Sequence, residues 1–314
     1  MFDTWLTIIN PHAGNGRTLS KWKLAYHSLR ELGMECVEKY TDSRYHAMNI
    51  AAEAAMSGFR KFLVVGGDGT IHETVNGIIS FIEESKSLIK LSDFTLAVLP
   101  IGSGNDWVKS HNLPKDSSEI VKLISNNSFI DQDIFKVESD DKTSYMINIA
   151  GFGFDARICE HVENSKSSGR GGKSVYIRTL LRTLFTYKPS EIELICDRIP
   201  VYKGATLSIS FGNGRFSGGG MIQTPLAKFD DGLLDITVIP KLSILKILWH
   251  AIFLFKGTIL EIPEVLSFRA KSVKLNAIND SRNECIEVDG EVIGTSPINI
   301  SLYPHRLRVL HLFK

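Results

Sequence analysis

Short apolar runs recur at even intervals along the first third of the chain, each closed by glycine, asparagine or proline. Thr4–Ile9 is such a run and ends at Asn10-Pro11, while Thr18 to Leu32 carries helical periodicity and stops at Gly33. Glu35–Tyr40 reads as a second strand, His46 to Met56 as an alanine-rich helix ending near Gly58, and Lys61–Val65 as a third strand. A glycine turn then leads into a helix from about Thr70 to Ile82, and Phe94–Leu99 is a fourth strand with a glycine turn behind it. Strands alternating with helices predict βαβ units around a parallel sheet. Glycine-rich loops follow three of these strands, at the carboxyl edge where such sheets bind ligands.

Beyond about Asp131 the pattern becomes β-rich. Phe135–Val137, Tyr145–Ile149, Ile192–Cys196, Ala205–Phe211, Leu234–Ile239, Ser272–Leu275 and Ile286–Val288 are short strand candidates separated by Gly, Asn or Asp. Two helices are expected among them, Ser174 to Phe185 and Ser243 to Phe255, the first preceded by a glycine- and serine-rich stretch, Ser167 to Lys173, that reads as a mobile loop. The expected architecture is therefore an α/β domain with a parallel sheet over residues 1–131 and a β-rich, sandwich-like domain over 132–314. The last strand, Leu307–Leu312, is compatible with either domain. Neither an internal repeat nor a low-complexity tract is present.

Composition narrows the function more than the fold. With 314 residues, 43% hydrophobic and 23% charged, the chain has room for two cores. Its 36 Lys+Arg against 35 Asp+Glu give a formal charge of +1, which argues against a nucleic-acid binder with a large phosphate-neutralising field. Cys36, Cys159, Cys196 and Cys285 have no metal-ligand spacing and read as reduced thiols. The first residues show no basic region or cleavage site of a secretory signal, so a cytoplasmic protein is expected. Leu242 to Leu260 carries Lys246, His250 and Lys256 and is a poor transmembrane candidate. Any membrane contact is thus expected to be peripheral, at the inner face. The helix within Ser243–Leu260 is apolar nearly all round and reads first as a buried core helix. The sharper alternative puts one face on lipid, with Lys246 and Lys256 near anionic headgroups.

The strongest chemical signal is Gly66-Gly67-Asp68-Gly69-Thr70, between the third strand and an amphipathic helix. Glycines let the backbone approach a bulky anion, and the amides of a new helix face it. Asp68 then needs a cation, a hydroxyl or an amide as partner, and a carboxylate among phosphate-facing glycines is expected to serve catalysis by handling metal or phosphate geometry. The plainer alternative is a tight turn with Asp68 or Thr70 as a helix cap. No Gly-Lys-Ser/Thr follows, so this is not a P-loop. Asn10-Pro11-His12-Ala13-Gly14-Asn15-Gly16 and Pro100-Ile101-Gly102-Ser103-Gly104-Asn105-Asp106 follow the first and fourth strands. Three such loops at one sheet edge favour a shared polyanion site. Thr41, just after the second strand, is placed either for ligand contact or as a cap of the following helix.

Together these loops resemble the three nucleotide-site motifs of the diacylglycerol kinase catalytic superfamily, which includes sphingosine, ceramide and bacterial lipid kinases. The likeness continues through Gly151-Phe152-Gly153-Phe154-Asp155-Ala156, Gly212-Asn213-Gly214 with Gly218-Gly219-Gly220, Pro225 through Asp235, and Asp289-Gly290-Glu291. It covers nearly the whole chain, in order, and is nearest to the soluble bacterial diacylglycerol kinases. Ser103 stands where the family usually has Thr, and Trp107 where it usually has Phe.

The resemblance implies an ATP site built from Asn10, Pro11, His12, Ala13, Gly14, Thr41, Gly66, Gly67, Asp68, Gly69, Thr70, Ile71, His72 and Ser103. It implies a structural Mg²⁺ held by the Asp231 carboxylate and the carbonyls of Lys228 and Leu233, where the residues alone read equally as a solvated Asp-Gly turn. Phosphoryl transfer to a hydroxyl needs a proton acceptor, and the resemblance points to Glu291 or Asp289. Read as a turn, the same segment leaves Glu287 and Glu291 simply exposed. Read as extended, it points Asp289 and Glu291 to one face. The implied reaction is ATP-dependent phosphorylation of a membrane lipid, foremost diacylglycerol to phosphatidic acid. A sphingoid base, a soluble acceptor as in NAD kinases or phosphofructokinases, and an inactive lipid-binding adaptor are the alternatives. A homodimer is left open.

Overall fold

In the computed structural model, residues 4–85, 88–102, 104–167, 182–278 and 284–313 are described. Ser103, residues 168–173 and most of the helix expected from Ser174 lie outside them. The chain divides into two units, one of Met1–Ile134, Gly218–Gly220 and Tyr303–Lys314, the other of Phe135–Ser217 and Met221–Leu302.

Burial on both faces explains the centre of the first unit. Its strands β1 (Trp5–Ile9), β3 (Lys61–Gly66) and β4 (Thr95–Pro100) are buried at nearly every position, as near-continuous apolar runs in a parallel sheet should be. Strand β2 (Cys36–Tyr40) is one of the two edges and carries charged Glu38 and Lys39 there, which discourages pairing with another chain. Parallel pairing runs β2-β1-β3-β4. The last strand, β19 (Leu307–Leu310), joins this sheet, parallel to β4 and antiparallel to β5 (Phe129–Gln132). That resolves where the final strand packs.

The helices are α1 (Thr18–Glu31), α2 (His46–Met56), α3 (Asp68–Ser85), α4 (Asp106–Ser110) and α5 (Ser117–Ser125). The alanine-rich face of α2 meets α3 at Gly77, where an added Cβ would lie 2.1 Å from the Met48 carbonyl oxygen. No larger residue fits that crossing. Glu73 of α3 accepts the amides of Tyr45 and Ala47 at 3.0 and 3.1 Å and so caps α2. Thr41 is not that cap: it is buried, and its own amide donates to the Ile9 carbonyl.

The second unit is an antiparallel sheet in the order β17-β16-β8-β10-β9-β15-β18-β6-β7, with β13 and β14 branching from β10. In chain order the strands are β6 (Phe135–Glu138), β7 (Thr143–Met146), β8 (Ile149–Gly153), β9 (Ser190–Cys196), β10 (Ile199–Gly212), β11 (Phe216–Ser217), β12 (Met221–Ile222), β13 (Leu234–Pro240), β14 (Leu266–Ala270), β15 (Ser272–Ala277), β16 (Cys285–Val288), β17 (Glu291–Thr295) and β18 (Ile298–Leu302). Phe135, Phe152, Phe211, Leu194 and Ile286 centre its core. Helix α6 (Phe154–Ser167), not anticipated from the pattern, follows β8 directly.

Two expectations are corrected. The single strand Tyr145–Ile149 is instead the end of β7 and the start of β8. The break falls where the amides of Ile147, Asn148 and Ile149 turn to the Asp289 carboxylate. Helix α7 (Ile244–Lys256) forms where expected but is not interior, since none of its residues is buried.

A histidine pair secures the returning chain. The Trp107 Nε1–H and His111 Nε2–H groups both donate to Gln132 Oε1, at 3.0 and 2.9 Å, and the His311 ring lies against His111. Burial, and then His311, pushes the His111 pKa from 6.5 down to about 3. The unfolded chain therefore takes up this proton at a much higher pH than the folded one. Stability from the neutral ring is complete above about pH 6.5 and is lost as pH falls toward 3. His111→Gln should flatten the loss of stability between pH 7 and pH 4, read as urea midpoints of variant and parent. An equally steep loss in the variant would assign the acid limb to other groups.

Candidate functional site

The three glycine loops of the first unit are laced together by their own backbones. Asn10 receives the His12 amide on Oδ1 at 3.0 Å and donates from Nδ2 to Thr70 Oγ1 at 3.2 Å. Its amide bonds the Val65 carbonyl, and the Ile101 amide bonds the Gly66 carbonyl. Gly14 has φ +59°, and a Cβ there would meet Ile101. The loop from Asn10 to Gly14 thus meets the second loop through Asn10 and the third through Gly14. Ile71 and His72 are different: both side chains are buried, so they shape the site from beneath.

Gly69 is informative because nothing in the fold requires it. Its backbone is helical, and an added Cβ would meet no atom of the described residues within 4 Å. Glycine in a helix is about 1 kcal/mol worse than alanine. Room kept open at the start of a helix, at that energetic cost, fits the close approach of an anion. Nearby, the buried Asn105 Oδ1 lies close to Gly67 and Gly102 and accepts no hydrogen bond from the described residues.

Asp68 finds its partners in amides. It sits in the first turn of α3, and its carboxylate accepts the Asp106 and Trp107 amides at 3.1 and 3.2 Å. These are the first two amides of α4, whose N-cap residue Asn105 offers no side-chain cap. Asp68 is therefore a cap, but of the neighbouring helix rather than its own. Asp106, not singled out from sequence as a site residue, is buried and accepts the Gly219 amide at 2.7 Å while pairing with Lys109 at 2.7 Å. Its place at the end of the third glycine loop was the signal for it in the sequence.

In the second unit the segment expected to supply a base is a tight hairpin. Asp289 and Gly290 have φ +52° and +92°, and Val288 pairs with Glu291 across them. Positive φ at both central positions is the two-residue turn that Asp-Gly favours. The extended reading, with Asp289 and Glu291 on one face, is overturned. The Asp289 carboxylate accepts three amides at 2.9–3.1 Å. Glu291 opens β17 and is half-buried. Glu287 is buried rather than exposed and accepts the Gly290 amide at 2.7 Å.

Gly151 faces Glu287 across the sheet, and a Cβ there would lie 2.7 Å from Glu287 Oε1 and 3.0 Å from Asp155 Cβ. The glycine makes room for two acidic side chains. Burial raises the Asp155 carboxyl above the usual range, and donation from Ser208 and Gln223 partly opposes this. Neither acid was assigned a role from spacing, because their proximity is created by strand register.

The expected metal loop is organised differently. Asp231 Oδ1 accepts the Leu233 amide at 3.0 Å, and Oδ2 pairs with Arg269 of β14, which stands opposite Asp235 of β13 and reaches that carboxylate too. Each oxygen of Asp231 thus has one partner and keeps further acceptor capacity, as a carboxylate has about four lone-pair sites. The Arg269 guanidinium balances the charge of the loop. Among the described residues no cluster of three His, Cys, Asp or Glu side chains converges on a metal position.

Comparison with known proteins gives this geometry a context. Residues 4–137 match the diacylglycerol kinase catalytic domain, and residues 148–311 match the YegS C-terminal NAD kinase beta sandwich-like domain. The chain is 31% identical over 240 residues to the "Probable lipid kinase YegS" of Salmonella arizonae, covering 76% of this chain and 74% of that one. It is 26% identical over 305 residues to the "Diacylglycerol kinase" of Mycobacterium tuberculosis, covering 96% and 93%. The crystal structure of a diacylglycerol kinase from Bacillus anthracis superposes with TM-score 0.69 at 21% identity, over 99% and 97% of the two chains, and supports the fold.

Arg269 can be tested as the resident cation. Arg269→Gln should lower unfolding stability by about 1–3 kcal/mol, because Asp235 is left buried beside Asp231. Millimolar Mg²⁺ should recover part of that loss in the variant and leave the parent unchanged. Equal stabilisation of both proteins by Mg²⁺ would show that the loop holds a metal beside the arginine.

Proposed function

The chain belongs to the lipid kinase family that joins a diacylglycerol kinase catalytic domain to a YegS C-terminal domain, and from that premise we propose that it phosphorylates diacylglycerol with ATP. The enzyme class is that of a lipid kinase. The choice of diacylglycerol follows the names of the relatives. The observation that carries the nucleotide reading is Gly69, a helical glycine with neither a packing nor a dihedral reason to be one.

ATP is bound, in this reading, by the loops around Asn10–Gly14 and Gly66–Thr70, where helix amides and absent side chains suit a polyphosphate. Ser103 is retained as a further contact on the strength of the family resemblance. Mg²⁺ bound to ATP would neutralise its phosphates. Asp68 acts by holding α4, and with it the third loop, against the second. The lipid hydroxyl loses a proton as its oxygen bonds to the γ-phosphorus and ADP leaves. We assign that proton to Glu291, since Asp289 is committed to the three amides of residues 147–149.

Purified protein given labelled ATP·Mg and mixed micelles should label diacylglycerol, and neither sphingosine nor NAD. Labelled NAD alone would overturn the lipid reading, whereas labelled sphingosine alone would replace only the named lipid. Glu291→Gln should lower kcat by about 10²–10⁴-fold with the KM for ATP little changed. Wild-type turnover in that variant would remove Glu291 from the chemistry.

Gly69→Ala separates ligand from fold. Alanine should raise unfolding stability slightly, by up to about 1 kcal/mol, while the KM for ATP rises at least tenfold. A more stable variant with unchanged KM would show that the open space does not face the nucleotide.

A further inference from the structure

Helix α7 has two apolar sides, and the fold uses one. Ile244 and Ile247 pack toward Phe154, Ile158 and Leu207, and Phe253 and Leu254 toward Ile259 and Ile262. Leu245, Leu248, Trp249, Ile252 and Phe255 remain 80%, 47%, 75%, 54% and 62% exposed. Their spacing of three, one, three and three residues sets them in one stripe along the helix. Exposed apolar stripes of this size mark interaction sites.

We propose that α7 seats the protein on an anionic lipid surface, lying in the plane of the headgroups with this stripe inward. The proposal rests on the reading of the acceptor as a bilayer lipid. Charge favours that occupant. From Lys241 to Lys256 the sequence holds three lysines and no acid, and Lys246 pairs with Glu264 from beyond the helix. Lys241 and Lys256 are exposed at the two ends of the stripe. Cations flanking an apolar face, with a tryptophan in it, suit the boundary between headgroups and acyl chains. Thirteen residues span about 20 Å, short of the roughly 30 Å hydrocarbon core. No helix among the described residues is long and apolar enough to cross a membrane. A second copy is disfavoured as occupant, because a two-fold contact would set a stripe flanked by the exposed Lys241 and Lys256 against the same stripe.

The tryptophans make the test direct. Trp5, Trp22 and Trp107 are 5%, 2% and 1% exposed, so a change in the emission of the full-length protein reports Trp249. Vesicles of phosphatidylcholine with phosphatidylglycerol, lacking diacylglycerol, should shift the emission to the blue and allow quenching by brominated acyl chains. Phosphatidylcholine vesicles alone should do so more weakly. Leu248→Glu with Ile252→Glu should abolish the shift with the urea midpoint unchanged, and Lys256→Gln should weaken anionic-vesicle binding about fivefold. Absence of any shift with anionic vesicles overturns the proposal. So does a shift that needs no vesicles and grows with protein concentration, which would assign the stripe to a second copy. Phosphorylation of vesicular diacylglycerol without a Trp249 shift would sink the docking and spare the lipid acceptor. Vesicle binding by a protein that phosphorylates no lipid would do the reverse.

Discussion

A backbone amide that starts a helix or leaves a sheet must find an acceptor, and leaving one buried without it costs about 1–3 kcal/mol. The loops of this protein meet that demand with carboxylates from distant positions. Asp68 takes the first amides of α4, Glu73 those of α2, and Asp289 those at the β7–β8 break. Asp197 does the same for Lys271 and Ser272. Each pairing joins segments far apart in sequence, so the geometry of the glycine loops depends on side chains that also carry charge. A substitution that removes such a carboxylate therefore disturbs structure and chemistry together.

The α/β half was legible because its central strands are buried on both faces and read as unbroken apolar runs. The glycine loops were legible for a related reason: a residue type with special backbone freedom clusters where strands end. What stayed hidden was pairing at long range. Nothing in the spacing of Asp231 and Arg269, 38 residues apart, indicates that strand register places them together. Likewise Gly151 reads as part of a motif, while its use, to admit Glu287 and Asp155, appears only once β8 and β16 are side by side. Helix α7 shows the opposite limit. Its sequence is apolar all round, and periodicity alone cannot say which side the fold will cover.

The acids of the second unit illustrate how one residue type is divided among tasks. Asp289 is spent on amides, Asp231 on a guanidinium, and Asp155 on a hydroxyl and an amide side chain. Burial acts on Asp155 against ionisation, whereas the donors around it act in favour. The same chemical group thus serves as turn anchor, ion partner and buried acceptor, according to what the strands deliver to it.

Strand β19 has a consequence for how the chain is made. It lies between β4 and β5, yet it is separated from β5 in sequence by the entire second unit. During synthesis the ribosome must deliver about 170 further residues before that gap in the sheet can close. Until then β4 offers an open, apolar edge, the kind of surface that chaperones cover and that pairs wrongly with neighbouring chains. The nascent α/β unit is thus the first part translated and the last part finished.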